Sequence, residues 1–264
     1  MATHVLEGGW LPFRALRFWL VSYKRTWKGS IFSSFLTPLL FLGALGFGLG
    51  SLISRSGHPT VAGMPYPVYV AGGVLAANAM MLAVGESTWP VLGAIKWWRQ
   101  YEAMLATPLG VTDVLLGHLG IVLIRALITS GALIIVATVL GAVQSLWAIV
   151  AILAAVLVTM AHSTPIMAFS ATQEKDTGFS LLFRLGATPM FLFSGCFFPV
   201  EQLPAVLRPV AYATPLYHGV ELCRGLIAGK PVLLADLFHV GYLLLWLVAG
   251  FLVARITFRR RLVV

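Results

Sequence analysis

The chain has 264 residues, of which 59% are hydrophobic and only 10% charged, with a mean hydropathy of +0.92. A water-soluble domain carries about a quarter charged residues, so this composition excludes one and requires a surface that faces lipid. The net charge of +9 comes from 18 Lys and Arg against 9 Asp and Glu, but the basic residues flank apolar runs and form no contiguous patch. That distribution fits membrane orientation and anionic headgroups and argues against nucleic acid as a partner.

Residues 10–28 mix Trp10, Phe13, Phe18, Trp19, Tyr23 and Trp27 with Arg14, Arg17, Lys24, Arg25 and Lys28. This composition predicts an interfacial helix lying in the headgroup plane; a disordered basic tail is the plainer alternative. No cleaved signal peptide is expected, because the first apolar run starts near residue 31 and lacks a small-residue exit. A span needs roughly 20 mostly apolar residues to cross about 30 Å of hydrocarbon. Six runs qualify, at about 31–53, 66–86, 114–140, 147–171, 179–198 and 235–257. Within the first, Gly46 and Gly50 are spaced as G-x-x-x-G, which suits close helix packing or a merely glycine-tolerant span.

The segment between the second and third spans is too apolar for a linker and too polar to cross. A short amphipathic helix over 95–107, ended near Thr107-Pro108, is the natural reading. Residues 199–234 carry Pro199, Pro204, Pro209, Pro215 and Pro231 among apolar stretches too short to span. Such a segment must satisfy its backbone inside protein or a wet cavity, which predicts short helices dipping back from the outer face; an ordinary outer loop is the alternative. Counting Lys and Arg, the segments that lie inside if the N-terminus is inside hold 12 and the outer ones 4. The chain therefore reads as one all-α, polytopic membrane domain over 1–264 with both termini cytoplasmic, as in a bacterial cytoplasmic membrane.

Ionisable residues inside spans default to functional candidates. Arg125 and His162 fall at similar depth, and Glu86 closes the second span, so the three are candidates for one intramembrane polar patch. The alternative is that Arg125 snorkels to a lipid phosphate. Arg184, near an inner end, reads as a snorkelling residue, and Asp236 and His239 as groups facing water at the start of the last span. No catalytic motif is present, and the scattered histidines predict no metal site. Cys196 and Cys223 are not in C-x-x-C spacing; two free thiols are expected, with one bridge left open. The nearest string to a Walker A motif, Gly225 to Pro231, has the wrong spacing and no Ser or Thr for Mg²⁺. Any ATP-driven activity must draw on another polypeptide.

Two stretches resemble the permease subunits of type-2 ATP-binding-cassette exporters. One is Arg99-Gln-Tyr-Glu102-Ala-Met-Leu105-Ala106-Thr107-Pro108-Leu109; the other runs from Phe193-Ser194-Gly195-Cys196-Phe197-Phe198-Pro199 through Leu203-Pro204 to Pro215-Leu216-Tyr217-His218 and Arg224. Trp27-Lys28-Gly29-Ser30 followed by Phe35-Leu36-Thr37-Pro38-Leu39 is most similar to the branch that exports nodulation-factor lipo-chitooligosaccharides and daunorubicin-type drugs. The resemblance implies a pair of permeases, a second copy or a paralogue, working with cytoplasmic subunits that bind ATP and Mg²⁺. It implies docking of those subunits around Arg99 and Glu102, where Trp97, Trp98 and Tyr101 are candidate anchors or headgroup-embedded aromatics. It further implies an outer gate shaped by Pro199, Pro215, His218, Glu221 and Arg224. The cargo expected is an amphipathic drug, lipid or glycolipid. A channel would need polar rings along a pore and an ion-coupled carrier would need intramembrane carboxylates or histidine relays, which these spans supply poorly.

Overall fold

A computed structural model describes residues 11–55 and 60–263. The first helix, α1 (Leu11–Phe41), passes without a break into a π-helical stretch, Leu42–Leu49, and then α2 (Gly50–Arg55). The interfacial helix expected over 10–28 is thus not separate from the first span, and Trp10 lies outside the described residues. Gly29-Ser30 does not interrupt the helix; a glycine inside a helix costs only about 1 kcal/mol against alanine. The disturbance comes later, where Pro38 removes one N–H and the glycine-rich run after it widens into π turns. Gly46 sits 3.7 Å, measured from an ideal Cβ, from Pro67, which is ordinary contact and leaves room for alanine.

A two-residue hairpin, β1 (Thr60–Val61) with β2 (Met64–Pro65), turns through Ala62 and Gly63 and delivers the chain to α3 (Tyr66–Ser87). After α4 (Trp89–Lys96) and α5 (Gln100–Leu105) come the long helices α6 (Val111–Val139) and α7 (Ala148–Thr172). Next, α8 (Thr177–Leu181), π-helical Leu182–Ala187 and α9 (Thr188–Phe193) form one short apolar run. The 3₁₀ turn Val200–Gln202 and α10 (Arg208–Tyr212) lead to α11 (Pro215–Ile227), and α12 (Leu233–Leu262) closes the fold.

Among the described residues five helical runs are long and apolar enough to cross a membrane: Ser34–Leu52, Tyr66–Lys96, Val111–Val139, Ala148–Thr172 and Leu233–Leu262. The sixth expected span, 179–198, is shorter than read from sequence. Its helix stops at Phe193, where the chain turns through Gly195 at φ +80°, a left-handed geometry that favours glycine.

Helix α7 is the spine. It packs against α12, α3, α6 and α11, and its buried face is mostly small: Ala148, Ala151, Ala154, Ala155, Ala161 and Ser163. Small residues let backbones approach where lipid supplies no hydrophobic drive between helices. α3 is buried almost all round from Tyr66 to Ala77, as a central helix must be. α12 buries only Leu243, Gly250, Ala254 and Phe258, a single stripe, and leaves Leu244, Leu245, Val248, Leu252 and Ile256 exposed to the surroundings.

Candidate functional site

The loop between the second and third spans is built differently from a single helix over 95–107. Both Trp97 and Trp98 N–H groups donate to the Gly93 carbonyl, at 3.0 and 2.9 Å, which closes α4. Arg99 then adopts a left-handed conformation, φ 49°, and α5 begins at Gln100 and ends at Leu105. Trp97, Trp98 and Arg99 therefore form the turn between α4 and α5. The two indoles stand edge to face with centroids 6.1 Å apart and remain 55% and 61% exposed. Arg99 and Glu102 pair with each other, on the exposed side. Tyr101 is a correction to the anchor set: it is fully buried and its hydroxyl meets His118 Nδ1 at 2.5 Å.

Beside this turn lies a cluster of charges. Glu174, in the loop after α7, pairs with Lys96 of α4 at 2.9 Å and with Arg261 of α12. Hydrogen bonds from Arg261 and then Lys96 hold its carboxyl well below the usual range, at about 2. The three charges tie the adjacent ends of α4, α7 and α12 together.

Within the membrane region, Glu86 and Arg125 do meet, at 2.5 Å, and the Arg125 guanidinium lies 5.6 Å from the Tyr23 ring centroid. His162 is not part of this patch. Its Nδ1 bonds the Val158 carbonyl one turn back at 2.7 Å, and its Nε2 is buried without a partner. Equal depth along two helices does not fix the direction in which side chains point. Another buried histidine, His118, lies two turns before Arg125 on α6, where it meets the Tyr101 hydroxyl and carries Trp19 against its ring, with centroids 4.5 Å apart.

At the other end, Pro215 occupies the first turn of α11, and the Thr214 hydroxyl caps the helix by accepting from the Tyr217 N–H at 3.2 Å. His218, Glu221 and Arg224, three residues apart, share one helical face. Arg224 is buried and fully engaged. It pairs with Glu221, donates to the Gly195 carbonyl at 2.5 Å and the Tyr69 carbonyl at 3.4 Å, and lies 3.8 Å above the Tyr69 ring. A charge placed so deeply persists only with such partners. His218 meets His239 of α12 through their Nδ1 atoms, 2.8 Å apart, with the Tyr242 ring 4.0 Å from its own. Pro199 ends the loop whose Gly195 and Phe197 carbonyls accept from the Tyr69 and Tyr66 hydroxyls at 3.1 and 3.3 Å. So α11 and this loop are fastened to the first turns of α3. Tyr66 and Tyr69 are the residues missed here, since an aromatic pair opening a span reads from sequence as an interfacial belt; His239, expected to face water, is half-buried against His218. Cys196 and Cys223 are buried and unbridged.

A groove of about 220 Å³ opens between α1, α3 and α9, lined by Pro38, Phe41, Val74, Asn78, Met81 and Phe191. Among the described residues, Asn78 is its one polar lining residue. Among the described residues no three His, Cys, Asp or Glu side chains converge as metal ligands would.

The chain matches the family model described as ABC-2 type transporter over residues 15–227. It is 32% identical over 252 residues to Nodulation protein J of Rhizobium leguminosarum bv. trifolii, covering 92% of this chain and 94% of that protein. It is 29% identical over 266 residues to Nodulation protein J of Neorhizobium galegae (99% and 98% covered), and 28% over 254 residues to that of Rhizobium meliloti strain 1021 (96% and 95%). The match extends from the α1–α6 contact through the loop turn to the last turn of α11, and on it the chain belongs to the ABC-2 type transporter family, as a membrane-embedded permease.

Proposed function

We propose that this permease is the membrane half of an ATP-driven exporter that moves an amphipathic drug, lipid or glycolipid out of the cytoplasm or inner leaflet. ATP and Mg²⁺ are bound by a separate cytoplasmic subunit, and the permease works paired with a second copy or a paralogue. The observation that carries the reading is the Trp97-Trp98-Arg99 turn. Two large aromatics and an arginine project from the end of a run, Tyr66–Lys96, that is otherwise a buried span. Exposed Trp and Arg on a rigid support are the residue types that dominate protein interfaces, and a support continuous with a span passes displacement into the membrane.

The groove beside Asn78 supports an amphipathic cargo: apolar walls take a chain and one amide orients a polar group. The names of the relatives, Nodulation protein J, and their bacterial sources support a bacterial inner membrane and the nodulation-factor type of glycolipid. The run Thr177–Phe193 reaches the lower limit of about 17 residues for a crossing; as a sixth crossing it carries the chain outward, so that α12 brings it back and both termini lie in the cytoplasm. The short helices of 199–234 then dip back from the outer face. The test is co-purification with an ATP-binding subunit and ATP hydrolysis in liposomes. Trp97→Ala with Trp98→Ala is expected to weaken the complex at least tenfold. A permease that captures no such subunit, or whose complex is insensitive to the double change, defeats the reading.

A further inference from the structure

Helix α1 carries positive charge that its own sequence does not balance. Over Leu11–Phe41 it holds Arg14, Arg17, Lys24, Arg25 and Lys28 and no acidic residue. Among the described residues the ion pairs use other cations: Lys96, Arg99, Arg125, Arg224 and Arg261. Near the start of α1, Ala15 presses on Gly117 of α6. Beside that contact a groove of about 500 Å³ separates the first turns of α1 from α5 and the connection to α6. Its size suits a small amphiphilic ligand.

The lining combines two chemistries. Phe18 of α1 and Met104 of α5 give apolar walls, and the exposed Trp98 stands at the rim. Among the described residues its polar lining is Arg14, Gln100 and Thr107, one positive charge and no acid. The acids nearest in the chain are engaged elsewhere: Glu102 pairs with Arg99, and Asp113 accepts from the Gly110 N–H at 2.8 Å. Gln100 Oε1 is buried without a partner, an unfavourable state for an acceptor until a donor reaches it. Thr107 cannot serve it, because its hydroxyl donates to the Met104 carbonyl at 2.6 Å. The connection leads directly into the run Val111–Val139, which is long and apolar enough to cross a membrane. The groove therefore opens at the level of the headgroups, where phosphates are the anions at hand and Trp is favoured.

We propose that this groove binds one anionic phospholipid, with its phosphate on Arg14, a headgroup hydroxyl donating to Gln100 Oε1, and an acyl chain along Phe18 and Met104. Phosphatidylglycerol supplies all three features. A zwitterionic headgroup brings a cation for which the lining has no acid. The bound lipid joins α1 to α5 and to Trp98, and so braces the turn between α4 and α5.

The test titrates delipidated, full-length permease in neutral detergent with dioleoyl-phosphatidylglycerol and counts bound lipid by native mass spectrometry. One lipid is expected to bind roughly tenfold more tightly than dioleoyl-phosphatidylcholine, the effect of one charge-assisted contact, and equimolar inorganic phosphate is expected not to displace it. Arg14→Gln should weaken binding by a similar factor, whereas Arg25→Gln, about three turns along α1, should change it less than about twofold. Ala103 also lines the groove and is exposed; Ala103→Trp fills the space, keeps Arg14 and should abolish binding. Equal losses in Arg14→Gln and Arg25→Gln would mean diffuse attraction to the helix, and equal affinity for the two lipids an apolar cleft alone. Displacement by inorganic phosphate would mean a free-anion site. Arg14→Gln that keeps its lipid but loses capture of an ATP-binding subunit would mean a protein contact. Each of these results overturns the proposal, and if Ala103→Trp does not fold, the two arginine variants decide it.

Discussion

A single methyl group at Gly72 is enough to test whether α11 is fastened to α3 as described. An ideal Cβ there would lie 2.6 Å from Arg224 Cα and 2.9 Å from its Cβ and N. These are backbone or backbone-proximal atoms that cannot rotate away, so Gly72→Ala must part the helices by roughly 1 Å, an overpacking cost of about 1–3 kcal/mol. The same parting pulls Arg224 from the Gly195 carbonyl and the Tyr69 ring, and each weakened bond to a charged group adds roughly 1 kcal/mol or more. The total of about 3 kcal/mol corresponds to a fall in Tm of roughly 6–12 °C for a chain of this size. Thermal unfolding in detergent with a thiol-reactive dye suits the measurement, because the buried, unbridged Cys196 and Cys223 report opening of this region. Gly46→Ala is the control, with its new Cβ in ordinary contact 3.7 Å from Pro67, and should leave Tm unchanged or slightly raised by helix propensity. A Gly72→Ala protein melting within about 2 °C of the wild type would refute the packing argument.

Two further outcomes follow from charge. Glu174 has a depressed carboxyl pKa, so the stability it lends through Arg261 and Lys96 is fully present above about 4.5 and is lost as pH falls towards 2. Melting between pH 6 and pH 3 should therefore fall more steeply in the wild type than in Glu174→Gln, whose curve starts lower; parallel curves would count against the tie. For the Glu86–Arg125 pair, Arg125→Leu leaves a carboxylate without its partner and should cost roughly 2–3 kcal/mol, at the low end because the pair is not wholly buried. Adding Glu86→Leu should return most of that loss, and a double change no better than the single one would show that the pair is not coupled.

Much of the molecule was legible because it follows from composition and period. A chain with 10% charged residues has to be membrane-embedded, and the prolines of 199–234 limit that segment to short helices. What sequence could not show is where released carbonyls go. A proline announces that the carbonyl four residues earlier is free, so Pro90 made the freed Glu86 carbonyl readable in principle. The donor that serves the next carbonyl, Ser170 on Ser87, sits 83 positions away in the chain and is chosen by packing alone. The same reasoning explains His162. It looked like a patch member because its depth matched Arg125, but its ring returns to its own helix at Val158. The hydroxyls of α7 make the contrast plain. Thr159 donates to the Ala79 carbonyl of α3 at 3.2 Å, Thr164 to Leu247 of α12 at 3.1 Å, and Ser170 to Ser87 at the α3–α4 junction. In sequence these are three small polar residues in an apolar run. In the fold they bind α3 and α12 to one spine, while α1 meets α6 through the bare approach of Ala15 to Gly117, 2.5 Å from an added Cβ. Hydrogen bonds thus fix one group of helices, while close packing and ring contacts join α1 to α6, a division that periodicity cannot encode because it depends on which face of α7 each hydroxyl reaches.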